Sequence, residues 1–319
     1  MLENKFLEKL KDGDRRYTAR AISVIETGDS NSASMMKIIY PYTGSAYRIG
    51  ITGPPGAGKS TITNQLTKFY RSQNKRVGII AVDPTSPFTG GALLGDRVRM
   101  ADIGYDEGVF IRSMATRGSL GGLSKKAVDA ADVLDAAGFD IILFETVGVG
   151  QSELDIAKAA DTTIVVLVPE SGDSVQAMKA GLMEIADFFV LNKSDRPGSD
   201  QAVVALNTIL MMRPHDMHSW MPNIIRSIAS ENKGIEDIAK EIERHFQYLK
   251  DNDKFLKRRE EKTKFRVKEI VEERLRAKLW NTENVLSMEA SLQQVVLGSL
   301  SPYQLADELI ISFKNHITQ

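Results

Sequence analysis

The run Gly53-Pro54-Pro55-Gly56-Ala57-Gly58-Lys59-Ser60 is a complete G-x-x-x-x-G-K-S loop, and it follows directly on the apolar stretch Tyr47 to Thr52. Glycines let successive backbone N–H groups turn inward on an anion. The lysine brings a point charge to terminal phosphate oxygens, and the serine hydroxyl is a hard ligand for Mg²⁺. Gly53 through Ser60, with Thr61 beside them, therefore form a candidate nucleotide-binding set whose ligand is a nucleoside triphosphate.

A second constellation, Asn192-Lys193-Ser194-Asp195, comes after the apolar run Phe188 to Leu191 and matches the N-K-x-D pattern that selects guanine. A carboxylate at the position of Asp195 accepts hydrogen bonds from the N1–H and exocyclic amine of guanine. Adenine offers no such donor pair and would leave a buried acceptor unmatched. The Lys193 stem can cover the base plane while Asn192 braces the loop. Ser227-Ile228-Ala229, after a further apolar run, stands where a short loop offers backbone N–H to the guanine carbonyl.

Mg²⁺ needs hard oxygens beyond Ser60. Asp83 ends one apolar run, Asp96 sits in the glycine-rich stretch around Gly90 to Gly95, and Glu145 ends another run, so these three are the candidate metal carboxylates. Lys59, Glu145 and Asp96 are the candidate catalytic residues. Glu145-Thr146-Val147-Gly148 occupies a place where D-x-x-G is usual, with Gly148 offering an N–H toward the γ-phosphate. Gln151 could orient water, but its spacing leaves the hydrolytic residue unassigned.

These residues need strands to hold them. Short β-rich runs at Arg48–Thr52, Arg76–Val82, Gly108–Ile111, Asp140–Glu145, Thr162–Val168, Phe188–Asn192 and Asn223–Ser227 alternate with helix-length segments. Such alternation predicts a mostly parallel sheet flanked by helices, an α/β fold with ligands at the carboxyl ends of the strands. Residues 1–45 read as an N-terminal helical extension, 46–249 as a P-loop domain and 250–319 as a C-terminal helical arm. In that arm Val267, Val271, Leu275 and Leu279 recur every four residues, a narrow seam suited to packing on another helix of the same chain or of a second subunit.

Composition removes other classes. A net charge of −1 gives no basic field for nucleic acid or an anionic membrane, and no apolar run reaches bilayer length, so a cytoplasmic protein without membrane or nucleic-acid partners is expected. With no cysteine there are no disulfides or thiolate metal sites. The four histidines, His215, His218, His245 and His316, form no metal-binding tract. The Gly-, Ser-, Thr- and Arg-rich stretch 84–122, with Arg97, Arg99, Arg112 and Arg117, has the composition of a switch, and 169–179 is a second candidate.

Longer matches carry a resemblance. Arg48 through the phosphate loop, Val82-Asp83-Pro84-Thr85-Ser86-Pro87, Gly90 to Met100, Phe110 to Gly118, Glu145 to Gln151 and the Asn192 motif together resemble the MeaB/ArgK GTPases. The resemblance implies a P-loop NTPase of the signal-recognition/MinD-like class, usually homodimeric through a C-terminal arm. It implies GTP and GDP as ligands, with Ser60, Asp83, Asp96 and Glu145 around Mg²⁺. It also implies a role in gating adenosylcobalamin delivery to, and protection of, an acyl-CoA mutase such as methylmalonyl-CoA mutase. Two other roles compete: an NTPase or kinase coupled to lysine/arginine/ornithine transport, against which Asp195 argues, and a metallochaperone-like GTPase, against which the absent cysteines argue.

Overall fold

The structure, a computed structural model, describes residues 2–28, 30–83, 102–115, 122–146, 152–169, 181–212, 216 and 219–317. Helices α1 (Leu2–Lys11), α2 (Arg15–Thr27) and α3 (Ser30–Ile39) precede the first strand. The core then runs β1 (Tyr47–Thr52), α4 (Lys59–Ser72), β2 (Val77–Asp83), β3 (Val109–Ala115), α5 (Gly122–Ala136), β4 (Ile141–Thr146), α6 (Ser152–Ala159), β5 (Thr162–Leu167), α7 (Leu182–Ile185) and β6 (Phe188–Asn192). After them come α8 (Ser199–Met211), β7 (Ile224–Ser227), α9 (Ile235–Asp251), α10 (Lys254–Leu279), α11 (Thr282–Val296) and α12 (Pro302–Ile317).

Among the described residues the strands form one seven-stranded sheet in the order β3-β2-β4-β1-β5-β6-β7, and every neighbouring pair is parallel. All seven expected β runs are strands. Their burial explains why they were legible: β4, β5 and β6 are buried at every position, which a parallel sheet covered on both faces requires of its apolar runs. One face packs Ile80, Phe144 and Ile142 against α5, α6 and the N-terminal helices through Leu10, Ile22 and Ile25. The other packs Ile49, Ile51, Ile79 and Leu143 against α4 and α9 through Ile62, Leu66, Ile238 and Ile242.

Residues 1–259 make one compact unit and 260–319 another, with α10 running through the boundary. The N-terminal helices thus belong to the unit that holds the sheet. In the second unit the expected seam is exposed: Val267, Val271 and Leu275 are each about half open to solvent, as are Leu286, Leu292 and Ile311 on the helices that follow.

The amino ends of the central strands carry a polar cluster that the sequence did not announce. Asp187, just before β6, accepts from Thr163 N–H at 2.8 Å and from Arg258 Nη1 at 2.9 Å, while His245 Nε2 stands 3.2 Å from the same carboxylate. Burial alone would raise the Asp187 carboxyl, but the approach of His245, the Arg258 charge and the Thr163 N–H outweigh it and hold it below the ordinary aspartate range. Because the folded-state pKa is the lower one, this carboxylate contributes stability that is present above about pH 4 and lost as pH falls through the folded value. Asp187→Asn is expected to cost roughly 2 kcal/mol or more at pH 7 and to flatten the acid limb of the stability curve. Chemical denaturation from pH 7 to pH 3 checks this, and an acid limb as steep as the wild type's would contradict it.

Candidate nucleotide-binding site

Strand β1 delivers the loop and two glycines permit its shape. Gly53 takes φ +133° with its backbone so close to β5 that a Cβ would lie 2.1 Å from Val166 O. Gly58 takes φ +93°, and a Cβ there would lie 2.2 Å from Asn192 Nδ2, after which α4 begins at Lys59. Any side chain at Gly58 has to displace the base-recognition loop or unwind the turn. Gly58→Ala is expected to leave the sheet folded and weaken guanine-nucleotide affinity by about tenfold or more. Titration with a fluorescent GDP, set beside far-UV circular dichroism, checks this, and unchanged affinity would show that the contact is not needed.

Inside the loop Lys59 is buried, and its ammonium donates to the carbonyls of Gly53 at 2.7 Å and Pro54 at 2.9 Å. Pro55, Gly56 and Ala57 complete the turn, and Thr61 lies on the first turn of α4. The Ser60 hydroxyl donates to Glu145 Oε1. Glu145 is buried in β4, the strand between β1 and β2, where it pairs in register with Ile51 and Ala81. The hydroxyls of Thr52 and Thr146, 3.1 Å apart, tie the same two strand ends together. Asp83 closes β2, its backbone paired with Ala115.

Asn192 is the knot between the phosphate side and the base side. Its Nδ2 donates to Ala57 O at 2.9 Å, and its Oδ1 accepts from Ser227 Oγ and Ala229 N–H, both at 3.1 Å. Lys193 adopts a left-handed φ of +55°, which costs a non-glycine residue ~1 kcal/mol, and its ammonium reaches Gly56 O at 2.8 Å. Ser194, a position the motif leaves open, donates through both N–H and hydroxyl to Ser227 O at 3.1 Å. Motif reading misses it because any residue satisfies an x.

Two details add to these expectations. Asp195 is exposed, so its carboxylate sheds water when a base seats on it. In the Ser227-Ile228-Ala229 loop the Ile228 N–H donates to Lys233 O at 3.1 Å and the Ala229 N–H to Asn192, so neither amide stands idle. A base carbonyl would have to share the Ala229 donor.

Arg112 lies on β3 and donates to Glu26 and Ser23 of α2, which makes it a strut for the N-terminal helices. Within the 84–122 stretch, residues 109–115 are strand β3, preceded by a turn over 102–108. Asp96, Gly148, Gln151, Arg97, Arg99, Arg117, His215, His218 and most of the second expected switch lie outside the described residues.

A glycine loop at the carboxyl end of the β1 strand, a buried carboxylate facing its serine, and an N-K-x-D asparagine locked onto the loop from β6 define a P-loop GTPase. Residues 18–284 match the family described as methylmalonyl-CoA mutase-associated GTPase MeaB, and the chain belongs to that family. It is 48% identical over 310 residues to a GTPase of Pyrococcus horikoshii, covering 95% of this chain and 96% of that one. To GTPase ArgK of Escherichia coli it is 37% identical over 241 residues, 73% of this chain and 72% of the other. The mitochondrial methylmalonic aciduria type A homolog of Mus musculus is 30% identical over 340 residues, spanning 98% of this chain and 81% of that protein. The crystal structure of an LAO/AO transport system kinase superposes with a TM-score of 0.73 at 27% identity, covering 98% of this chain and 97% of that one.

Proposed function

We propose that this GTPase is a nucleotide-driven chaperone for an adenosylcobalamin-dependent acyl-CoA mutase, methylmalonyl-CoA mutase being the first candidate. It would gate cofactor delivery and protect the loaded enzyme in the cytoplasm. The observation that carries the reading is the match across residues 18–284 to a family described as mutase-associated. No helix among the described residues is long and apolar enough to cross a membrane.

Mg²⁺ fits the residues present. The Ser60 hydroxyl and the Glu145 carboxylate meet at the carboxyl end of β4, two hard oxygens of the kind this ion selects. Ser60 and Glu145 would hold it, with Asp83 and Asp96 as further oxygens. When bound, it neutralises charge on the β- and γ-phosphate oxygens. Lys59 adds a fixed cation on the loop side, and Asn192 with Asp195 orients the guanine.

The exposed apolar residues of the 260–319 unit suit a homodimer, in which the same face of two copies closes on itself. Sedimentation at micromolar concentration tests that part.

The client is tested by capturing partners from the host extract on immobilised protein loaded with GDP or with a non-hydrolysable GTP analogue, then identifying them by mass spectrometry. A cobalamin-dependent mutase retained in one nucleotide state supports the reading. A transport component or metalloenzyme precursor in its place overturns the client while leaving the GTPase intact.

A further inference from the structure

The two arginines that open α10 grip two different strands of the sheet. Arg259 donates to both oxygens of Asp161, at 3.0 and 2.6 Å, and to the carbonyls of Gly44 and Ala46 at 2.7 and 2.8 Å. Asp161 in turn holds the Arg48 backbone, its Oδ2 accepting from the Arg48 N–H at 3.1 Å and its own N–H donating to the Arg48 carbonyl at 2.7 Å. Arg259 thus holds the beginning of β1, the strand that ends in the phosphate loop. Its neighbour Arg258 donates to Asp187 at the beginning of β6, the strand that ends at Asn192.

Between these grips runs a buried polar chain. The Tyr47 and Thr162 hydroxyls share a hydrogen bond, the Thr162 hydroxyl meets His245 Nδ1 at 2.7 Å, and His245 Nε2 faces Asp187 Oδ1 at 3.2 Å without closing a well-directed bond. With a neutral imidazole, one proton order gives every link a donor: Tyr47 to Thr162, Thr162 to Nδ1, and Nε2–H toward Asp187. Arg258 Nη1, 2.9 Å from Asp187 Oδ1, places a fixed positive charge beside that carboxylate. His245 is fully buried, and the Asp187 side chain is 11% exposed.

The base of the sheet is therefore a crossbar joining β1, β5 and β6. Asp187 and Asn192 bracket β6 some ~17 Å apart, a length over which a fully buried strand moves as one piece. At its upper end the same strand sets the distance between Asn192 and Ala57. A ligand that spans the phosphate loop and Asp195 senses that distance; one that occupies the loop alone does not.

We propose that Arg258 is a positioning residue for guanine-nucleotide binding: as counter-ion of Asp187 it fixes the base-recognition strand β6 relative to the phosphate-loop strand β1.

The test compares two ligands on the full-length protein. By isothermal titration, Arg258→Gln is expected to weaken Mg-GDP about tenfold while Mg-pyrophosphate stays within about twofold. Arg258→Lys, which keeps the charge, is expected to restore most of the GDP affinity. Arg112→Gln, on the far edge strand β3, removes the strut to Glu26 of α2, serves as a control for general destabilisation and is expected to leave the GDP-to-pyrophosphate ratio unchanged. Equal weakening of both ligands by Arg258→Gln, or a lowered melting temperature with unchanged GDP affinity, would reduce Arg258 to a structural ion pair and overturn the proposal. Should Arg258→Gln not fold, Arg258→Met takes its place in the same comparison: a selective loss for GDP supports the proposal, and equal weakening of GDP and pyrophosphate overturns it.

Discussion

Lys59→Ala is expected to lower single-turnover GTP hydrolysis by about a hundredfold or more, the loss that follows when a preorganised charge is removed from a phosphoryl-transfer site. The geometry makes the loss larger than that of one charge. The buried ammonium caps the Gly53 and Pro54 carbonyls at 2.7 and 2.9 Å, and an alanine would remove that donor from both acceptors. Arginine cannot rescue it, because its planar fork does not fit a space built for a compact ammonium. Rapid-mixing measurements with excess enzyme check the effect directly. Turnover within tenfold of wild type would mean that the phosphate loop is not the hydrolytic centre.

The second large effect is on base choice. Asp195→Asn replaces a double acceptor with one acceptor and one donor, so it mismatches the guanine exocyclic amine and matches the carbonyl that xanthine carries in its place. GTP affinity is expected to fall by about a hundredfold, with xanthosine triphosphate gaining by a similar factor. Since Asp195 is exposed, the substitution leaves the fold alone, and the change belongs to ligand recognition. Competition between the two nucleotides for the variant reads the switch. A variant that kept its preference for GTP would move base recognition elsewhere.

Much of this could be read in the chain. The strands were legible because a two-face-buried parallel sheet admits only apolar, β-branched runs, and the seven runs are short, regular and separated by helix-length stretches. The phosphate loop and Asn192 were legible because their chemistry depends on contiguous residues. The crossbar at the sheet's amino ends was not. Tyr47, Thr162, Asp187, His245 and Arg258 are scattered over some two hundred positions, and each alone reads as an ordinary strand or helix residue. Arg258 and Arg259 fall in what the sequence shows only as a C-terminal helical arm, and the fold brings them onto buried aspartates. The exposure of Asp195 could not be read for a related reason: a motif names the group that meets the base but not how much of the pocket the protein itself closes. The two helices after Leu279 carried readable punctuation, Asn281 capping α11 and Gly298 at φ +76° following it, within what the sequence shows only as an arm.

In the proposed function one nucleotide switch serves one client, and linkage makes this measurable: a client that distinguishes the GTP and GDP forms must change nucleotide affinity or turnover by the corresponding factor. The decisive measurement is the affinity of purified methylmalonyl-CoA mutase for the protein loaded with GDP and with a non-hydrolysable GTP analogue, alongside GTP turnover with and without the mutase. The affinities are expected to differ by about fivefold or more between the two states, together with a change in nucleotide affinity or turnover when the mutase binds. Equal affinities with unchanged turnover, or no binding in either state, would contradict it.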